Sequence, residues 1–519
     1  MKRKLALIPL DARPITRELP GQIAAIAGWE VLVPDCELLG FLKTPGKRDD
    51  ILEWISSVAD EVDGFIVSLD MIGYGGLVPS RVIEDDFSSV WNRIEKVLAI
   101  KRRYPEKKIY AFSSTMRISN SYVNEEEKDY WDRYGREIWE YSYQYHRYKK
   151  TSSEEAKIRV EQLKDLIPDH ILLDYLQTRE RNFKINKKLL DKVEEMDIDL
   201  LIFPQDDTSE YGLNIMEQEF LSAEIEKKRL FHKVLIYPGA DEVATMLTAR
   251  SIMEIEQVSP PVFYAFFSGE AGKLKPALYE DRPIYESVKG QIYASGSFLS
   301  DTAGEADLIL AVNVPGERQG DLALQADLEY ADTSGRNLGE WIRKIRFFQR
   351  KDYPVAIADL AYANGADPAM ISRVLAEKDL LNYLIGFAAW NTAGNTIGTV
   401  VAQASMVYLR KKQGLDLMCK PLKEQILLRI LEDYLYQTVV RDEVRQCLDE
   451  AKVDTSALEA YAIECFLDKF SHFIKEPSIQ KLIHNNRVIP QEIFLPWKRT
   501  FEMGIRILLI ENSEVNGKD

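Results

Sequence analysis

Apolar residues run along this chain in short unbroken stretches, each ending in a polar or glycine-rich cluster. The stretches are KLALIPLD (4–11), EVLVPD (30–35), GFIVSLD (64–70), KIYAFSS (108–114), DLLIFPQDD (199–207), KVLIYPGADE (233–242), PVFYAFFSGE (261–270), ADLILAVN (306–313), PVAIADLAYANGAD (354–367) and LIGFAAWNTAGN (384–395). Continuous rather than alternating runs suit strands covered on both faces, as in a parallel sheet. Between many of them lie segments with apolar residues three and four apart, such as RDDILEWISSVADEV (48–62), which predict amphipathic helices. Strand–helix alternation of this kind predicts an α/β protein. The runs suffice for eight core strands with some to spare, so a TIM-barrel-like (β/α)8 core is the first expectation. Two Rossmann-like doubly wound halves are the alternative.

Two stretches break the rhythm. Residues 120–195 are polar and rich in Tyr and predict a helical insertion or lid after the fourth strand, its aromatics reading as a packing stripe in preference to a stacking platform. Residues 415–480 also read as helical. The expected division is an α/β core over 1–410 and a mainly helical region over 411–519. The tail RVIPQEIFLPWKRTFEMGIRI (487–507) reads as extended and packing back on the core.

Composition mainly excludes. A formal net charge of −16, with basic residues only in short isolated runs, argues against a nucleic-acid partner. Cys36, Cys419, Cys447 and Cys465 show no CxxC or zinc spacing, which fits a reduced cytosol. The N-terminal apolar run is broken by Pro9 and Asp11 and reads as a first strand, not a signal segment. With no stretch of about 18 apolar residues, no membrane partner is expected.

In α/β folds the loops after the strand carboxyl ends build the site. Asp206 and Asp207, just after LLIFP, come first: like charges that close raise each other's pKa, and one acid held protonated can serve as a general acid. The bland alternative is a helix cap at Asp207 and an arginine pair at Asp206. In PGADEVATMLTAR (238–250) Asp241 is equally a site acid or an N-cap, and Glu242 suits a helix first turn. In AWNTAGNTIGTVVAQA (389–404), Trp390, Asn391 and Asn395 suit a neutral polyhydroxylated ligand, against a reading as close helix–sheet packing. LDARPITR (10–17) offers Asp11 and Arg13, as an anion clamp or an internal pair. SLDMIGYGGLVPSR (68–81) offers Asp70 and Arg81 but lacks nucleotide-loop spacing, so no cofactor is expected. Arg117, Asn313, Asn364 and, beside it, Asp359 and Asp367 are site-like by position. The five histidines avoid every strand end, which disfavours zinc or iron and leaves an oxygen-only magnesium or calcium site open. No GxSxG serine nucleophile is present.

Taken together, LDARP, SLDMIGYGGLVPSR, QDDTSEYG, PGADEVA, NVPGERQ, ADLAYANGAD, WNTAGNTIGT and LPWKRTFE resemble a bacterial family known as a domain of unknown function, number 4127. The resemblance covers nearly the whole chain and implies no activity. At the level of a motif, the Asp-Asp pair is similar to that of hexosaminidases with substrate-assisted catalysis. That similarity implies Asp207 protonating the leaving oxygen, Asp206 orienting a 2-acetamido group, and Trp390 and Asn391 touching sugar. The surrounding sequence departs from those enzymes. The expected function is therefore a glycoside-processing hydrolase acting on a small-molecule or sugar substrate. The alternatives are a carboxylate-bound metal hydrolase or lyase using Asp70, Asp206, Asp207 and Asp241, and a non-catalytic sugar or metabolite binder.

Overall fold

A computed structural model describes residues 3–206, 208–449, 455–484 and 486–510. Its strands are β1 (Lys4–Ile8), β2 (Glu30–Leu32), β3 (Gly64–Ser68), β4 (Lys108–Phe112), β5 (Leu200–Gln205), β6 (Val234–Pro238), β7 (Val262–Phe267), β8 (Phe298–Leu299), β9 (Leu308–Asn313), β10 (Gly320–Asp321), β11 (Val355–Asp359), β12 (Tyr362–Ala363), β13 (Leu384–Ala388), β14 (Arg487–Phe494) and β15 (Gly504–Ile510). The ten apolar runs each contain a main-sheet strand; β8 alone lies outside them.

The α/β class holds, and the expected barrel does not. The main strands form two open sheets, ordered β2-β1-β3-β4-β5-β6 and β13-β11-β9-β7-β8, with every pairing parallel. A strand apolar on both faces suits a barrel and an open sheet equally, so periodicity does not decide between them. Pairing decides: β6 bonds to β5, and β7 opens a second sheet with β8 and β9. Two separate open sheets are what the two-halves alternative expects.

Contacts divide the chain into two compact units. The first comprises Met1–Ala12, Glu30–Leu247 and Tyr279–Asp281, the second Arg13–Trp29, Thr248–Leu278 and Arg282–Asp519. The first unit packs Ile8, Phe65, Val67, Ala111, Leu201 and Phe203 of its strands against helices that include Ile51, Ile55, Ile94 and Leu189. Within it the stretch after β4 forms helices Trp131–Thr151, Glu154–Leu166 and Asp169–Glu194. They bury a core of their own, with the Trp131 and Tyr175 rings 5.6 Å apart.

The second unit includes the second sheet and the helices from Lys420 onward. An 11-residue π-helix, Ile430–Val440, follows the helix Lys420–Arg429. Such wide turns are rare and frequently mark functional sites. Here it ties the rim together: Asp433 Oδ2 accepts from Ala389 N–H (2.8 Å), Thr438 Oγ1 donates to Ala366 O (2.8 Å), and Tyr436 OH donates to Thr500 O (2.8 Å). β14 and β15 pair antiparallel, so the tail is extended. No described helix is long and apolar enough to cross a membrane.

Candidate functional site

In the first sheet the strand order turns at β1, where β2 and β3 lie on opposite sides. Ligands of open parallel sheets collect outside the carboxyl ends at such a point. Asp11 follows β1, Asp70 follows β3, Ser114 and Arg117 follow β4, Asp206 follows β5 and Asp241 follows β6.

Arg81 organises this rim. Its side chain is 1% exposed, and Nη2 donates to Asp206 Oδ2 at 3.0 Å while Nη1 lies 3.4 Å from Glu127 Oε1 and 3.5 Å from Glu126 Oε2. Arg117 faces the same acids, with Nη2 2.9 Å from Glu126 Oε2, Nε 3.1 Å from Glu127 Oε1 and Nη1 3.8 Å from Asp206 Oδ2. Two guanidinium groups thus share three carboxylates, an arrangement suited to planar bidentate pairing. Asp206 keeps 21% side-chain exposure and so remains within reach of solvent.

Asp70 stands differently. It is 2% exposed and accepts from Ser114 N–H at 2.9 Å. Burial pushes its carboxyl up to about 6, against the opposing pull of the Ser114 hydrogen bonds and the Arg81 charge. Asp241 is buried beside Glu242, whose carboxylate lies against Gly239. A Cβ there would come within 2.1 Å of Glu242 Oε1, and φ is +115°, a left-handed backbone conformation that favours glycine. Asp207 lies outside the described residues.

The remaining expected residues lie in the second unit. Asn313, at the end of β9, donates from Nδ2 to Asp359 Oδ1 (2.8 Å) and Asp367 Oδ2 (3.0 Å) and accepts from Ser268 Oγ (2.8 Å). Arg336 Nη1 donates to Asp367 Oδ2 at 2.6 Å, and Asp367 N–H donates to Asp359 Oδ2 at 2.7 Å. Burial first, then the neighbouring Asp367, push Asp359 up to about 7. Of the two, Asp367 has the cation, so Asp359 is the one that takes the proton. Asn364 donates to Asp321 and its N–H bonds to Asn391 O at 2.9 Å. Both asparagines are left-handed, φ 60° and 54°.

Three expected pocket residues have structural work. The Trp390 indole N–H donates to Thr399 Oγ1 at 3.2 Å and the ring is buried. Asn395 Nδ2 donates to Thr392 Oγ1 at 3.1 Å. Arg13 lies 4.7 Å from the Trp497 ring centroid and 3.6 Å from Glu502 Oε1. Among the described residues no three His, Cys, Asp or Glu side chains group to hold a metal ion.

A family described as a protein of unknown function (DUF4127) matches residues 5–506. The chain belongs to this family. No curated protein and no solved structure matches it. Assigning chemistry to the two rims therefore falls to geometry. The residues that sequence reading passed over are Glu126 and Glu127, which sit in an EEE run that looks like a solvated helix face, and Arg336, Asp321 and Asp433, which no local pattern distinguishes.

Proposed function

We propose that this protein is a glycoside-processing hydrolase that works from the rim of the first sheet, with N-acetylhexosaminides among its substrates. One observation carries the reading: two carboxyls around Arg81 occupy opposite environments. Asp70 is buried and raised to about 6, whereas Asp206 is ion-paired and partly open to solvent. Carboxyls pushed apart in this way divide into a proton donor and a charged partner, the division that glycoside cleavage uses. Asp206, held in place by Arg81 and Arg117, orients the substrate or stabilises positive charge at the anomeric carbon. The proton for the leaving oxygen comes from Asp207 by sequence position, or from Asp70 by surroundings, and one assay separates them. Purified protein is screened against aryl glycosides, N-acetylhexosaminides included, as wild type, Asp70→Asn and Asp207→Asn. A fall in turnover of about a hundredfold or more in one variant assigns the acid. Absence of turnover by wild type across the panel overturns the reading.

A second reading is a sugar or metabolite binder without turnover. It draws on the presence of two parallel-sheet units, each with its own polar rim. Saturable binding that neither asparagine variant disturbs, with no product formed, supports it.

A further inference from the structure

The loop that carries Asp206 is held at two places. Thr208 donates from its N–H (3.1 Å) and from Oγ1 (3.2 Å) to Tyr279 O. Further along, the loop runs into the helix Leu213–Lys228, whose first amides need partners from outside the helix. Gly212 at the cap has no side chain to supply one. The partners come from the Tyr-rich helix Trp131–Thr151. Leu213 N–H donates to Ser142 Oγ at 2.7 Å and Gly212 N–H to His146 Nδ1 at 3.1 Å. Ser142 and His146 are four residues apart, on one helix face, and are 0% and 2% exposed. Because Nδ1 accepts, the ring proton sits on Nε2, which faces Glu219 Oε2 at 3.3 Å. The same helix face packs Tyr143 and His146 against Tyr211, with ring centroids 5.3 and 5.6 Å apart.

We propose that the Tyr-rich insertion sets the conformation of the acid-bearing loop, with His146 and Ser142 as positioning residues. The two contacts replace a local helix cap with one borrowed from a distant helix, so the loop geometry depends on the insertion being in place. That the loop serves glycoside cleavage rests on the function proposed above; the anchoring itself does not.

Hydrogen exchange on the full chain tests the anchor without any substrate. In His146→Leu the Gly212 and Glu219 contacts are lost, and exchange across 208–213 speeds up about tenfold, the size of one lost hydrogen bond. In His146→Asn, Oδ1 takes the place of Nδ1 and restores protection, because the Gly212 bond survives while the Glu219 contact does not. Ser142→Ala releases the Leu213 amide and serves as the independent variant should His146→Leu unfold. Equal acceleration in the Leu and Asn variants, or unchanged exchange in Leu and Ala, overturns the proposal. Once a substrate is found, kcat falls about tenfold in His146→Leu with KM nearly unchanged, and Asn rescues it. Lost protection with kcat intact leaves the anchor standing and removes this loop from the proposed reaction.

Discussion

The two units use one plan for different ends. Counted within each unit, both sheets place the second strand outside the first, then the third, fourth and fifth beyond it: β2-β1-β3-β4-β5 and β8-β7-β9-β11-β13. In both, polar residues crowd the carboxyl ends of the same strands. In the first unit the charges around Arg81 reach solvent, with Asp206, Arg117 and Glu126 at 21%, 18% and 17% side-chain exposure. In the second, Arg336 and Asp367 are sealed at 1% and 0%. Strand order therefore says where polar groups collect, and the side chains that fill the rim decide whether water and ligand can reach them. An open rim suits chemistry; a sealed, densely hydrogen-bonded one rigidifies its surroundings.

The largest test of this contrast removes one arginine from each rim. Arg336→Met strands Asp367 in the interior and costs about 3–5 kcal/mol in urea unfolding. Arg117→Met, at the open rim, costs about 1–2 kcal/mol because water re-solvates Glu126 and Asp206 while Arg81 still pairs with the buried Glu127. Equal costs would erase the distinction between the rims.

The next test is pH. The folded carboxyls of Asp70, at about 6, and Asp359, at about 7, both lie above the ordinary 3.8. The folded state therefore holds protons that the unfolded chain releases. The stability they contribute is complete below pH 3.8 and is lost as pH rises, through about 6 for the first unit and about 7 for the second. Each group contributes a slope of up to about 1.4 kcal/mol per pH unit between its unfolded and folded values. Asp70→Asn should flatten the lower limb and Asp359→Asn the limb reaching to about 7. An unflattened curve in Asp359→Asn would show that Asp359 takes up no proton on folding.

The smallest effect is at Trp390. Trp390→Phe removes the bond to Thr399 and costs about 1 kcal/mol with ligand affinity intact. A change in affinity would restore Trp390 as a contact residue, as its sequence position first suggested.

Much of this fold was readable from the runs of apolar residues, because a strand covered on both faces leaves no other pattern. Phe298–Leu299 was not, since a two-residue edge strand makes no run. The barrel expectation failed at β6 and β7, where neighbouring runs join different sheets and nothing local records the choice. At the rim, Asp70, Arg117 and Asp206 were legible because they follow strands closely, and Arg81 because it closes the glycine-rich stretch after β3. Glu127 was not: it is 2% exposed, yet it sits in a charged run that elsewhere would face water. The π-helix was equally hidden, since its sequence fits an ordinary helix and only its tertiary bonds to Ala366, Ala389 and Thr500 support the wider turn.

The route of the chain through the second unit has a consequence for synthesis. The helix Leu19–Ile26 emerges early, yet its partners are made late: Gln22 Oε1 accepts from Gln425 (2.6 Å) and Ile26 O from Arg410 (3.1 Å). Domains ordinarily fold in the order in which they leave the ribosome. Here a segment translated near the beginning must wait for these partners until about four hundred further residues have followed it. The nascent protein is thus exposed to chaperones and proteases for longer than either unit alone would require.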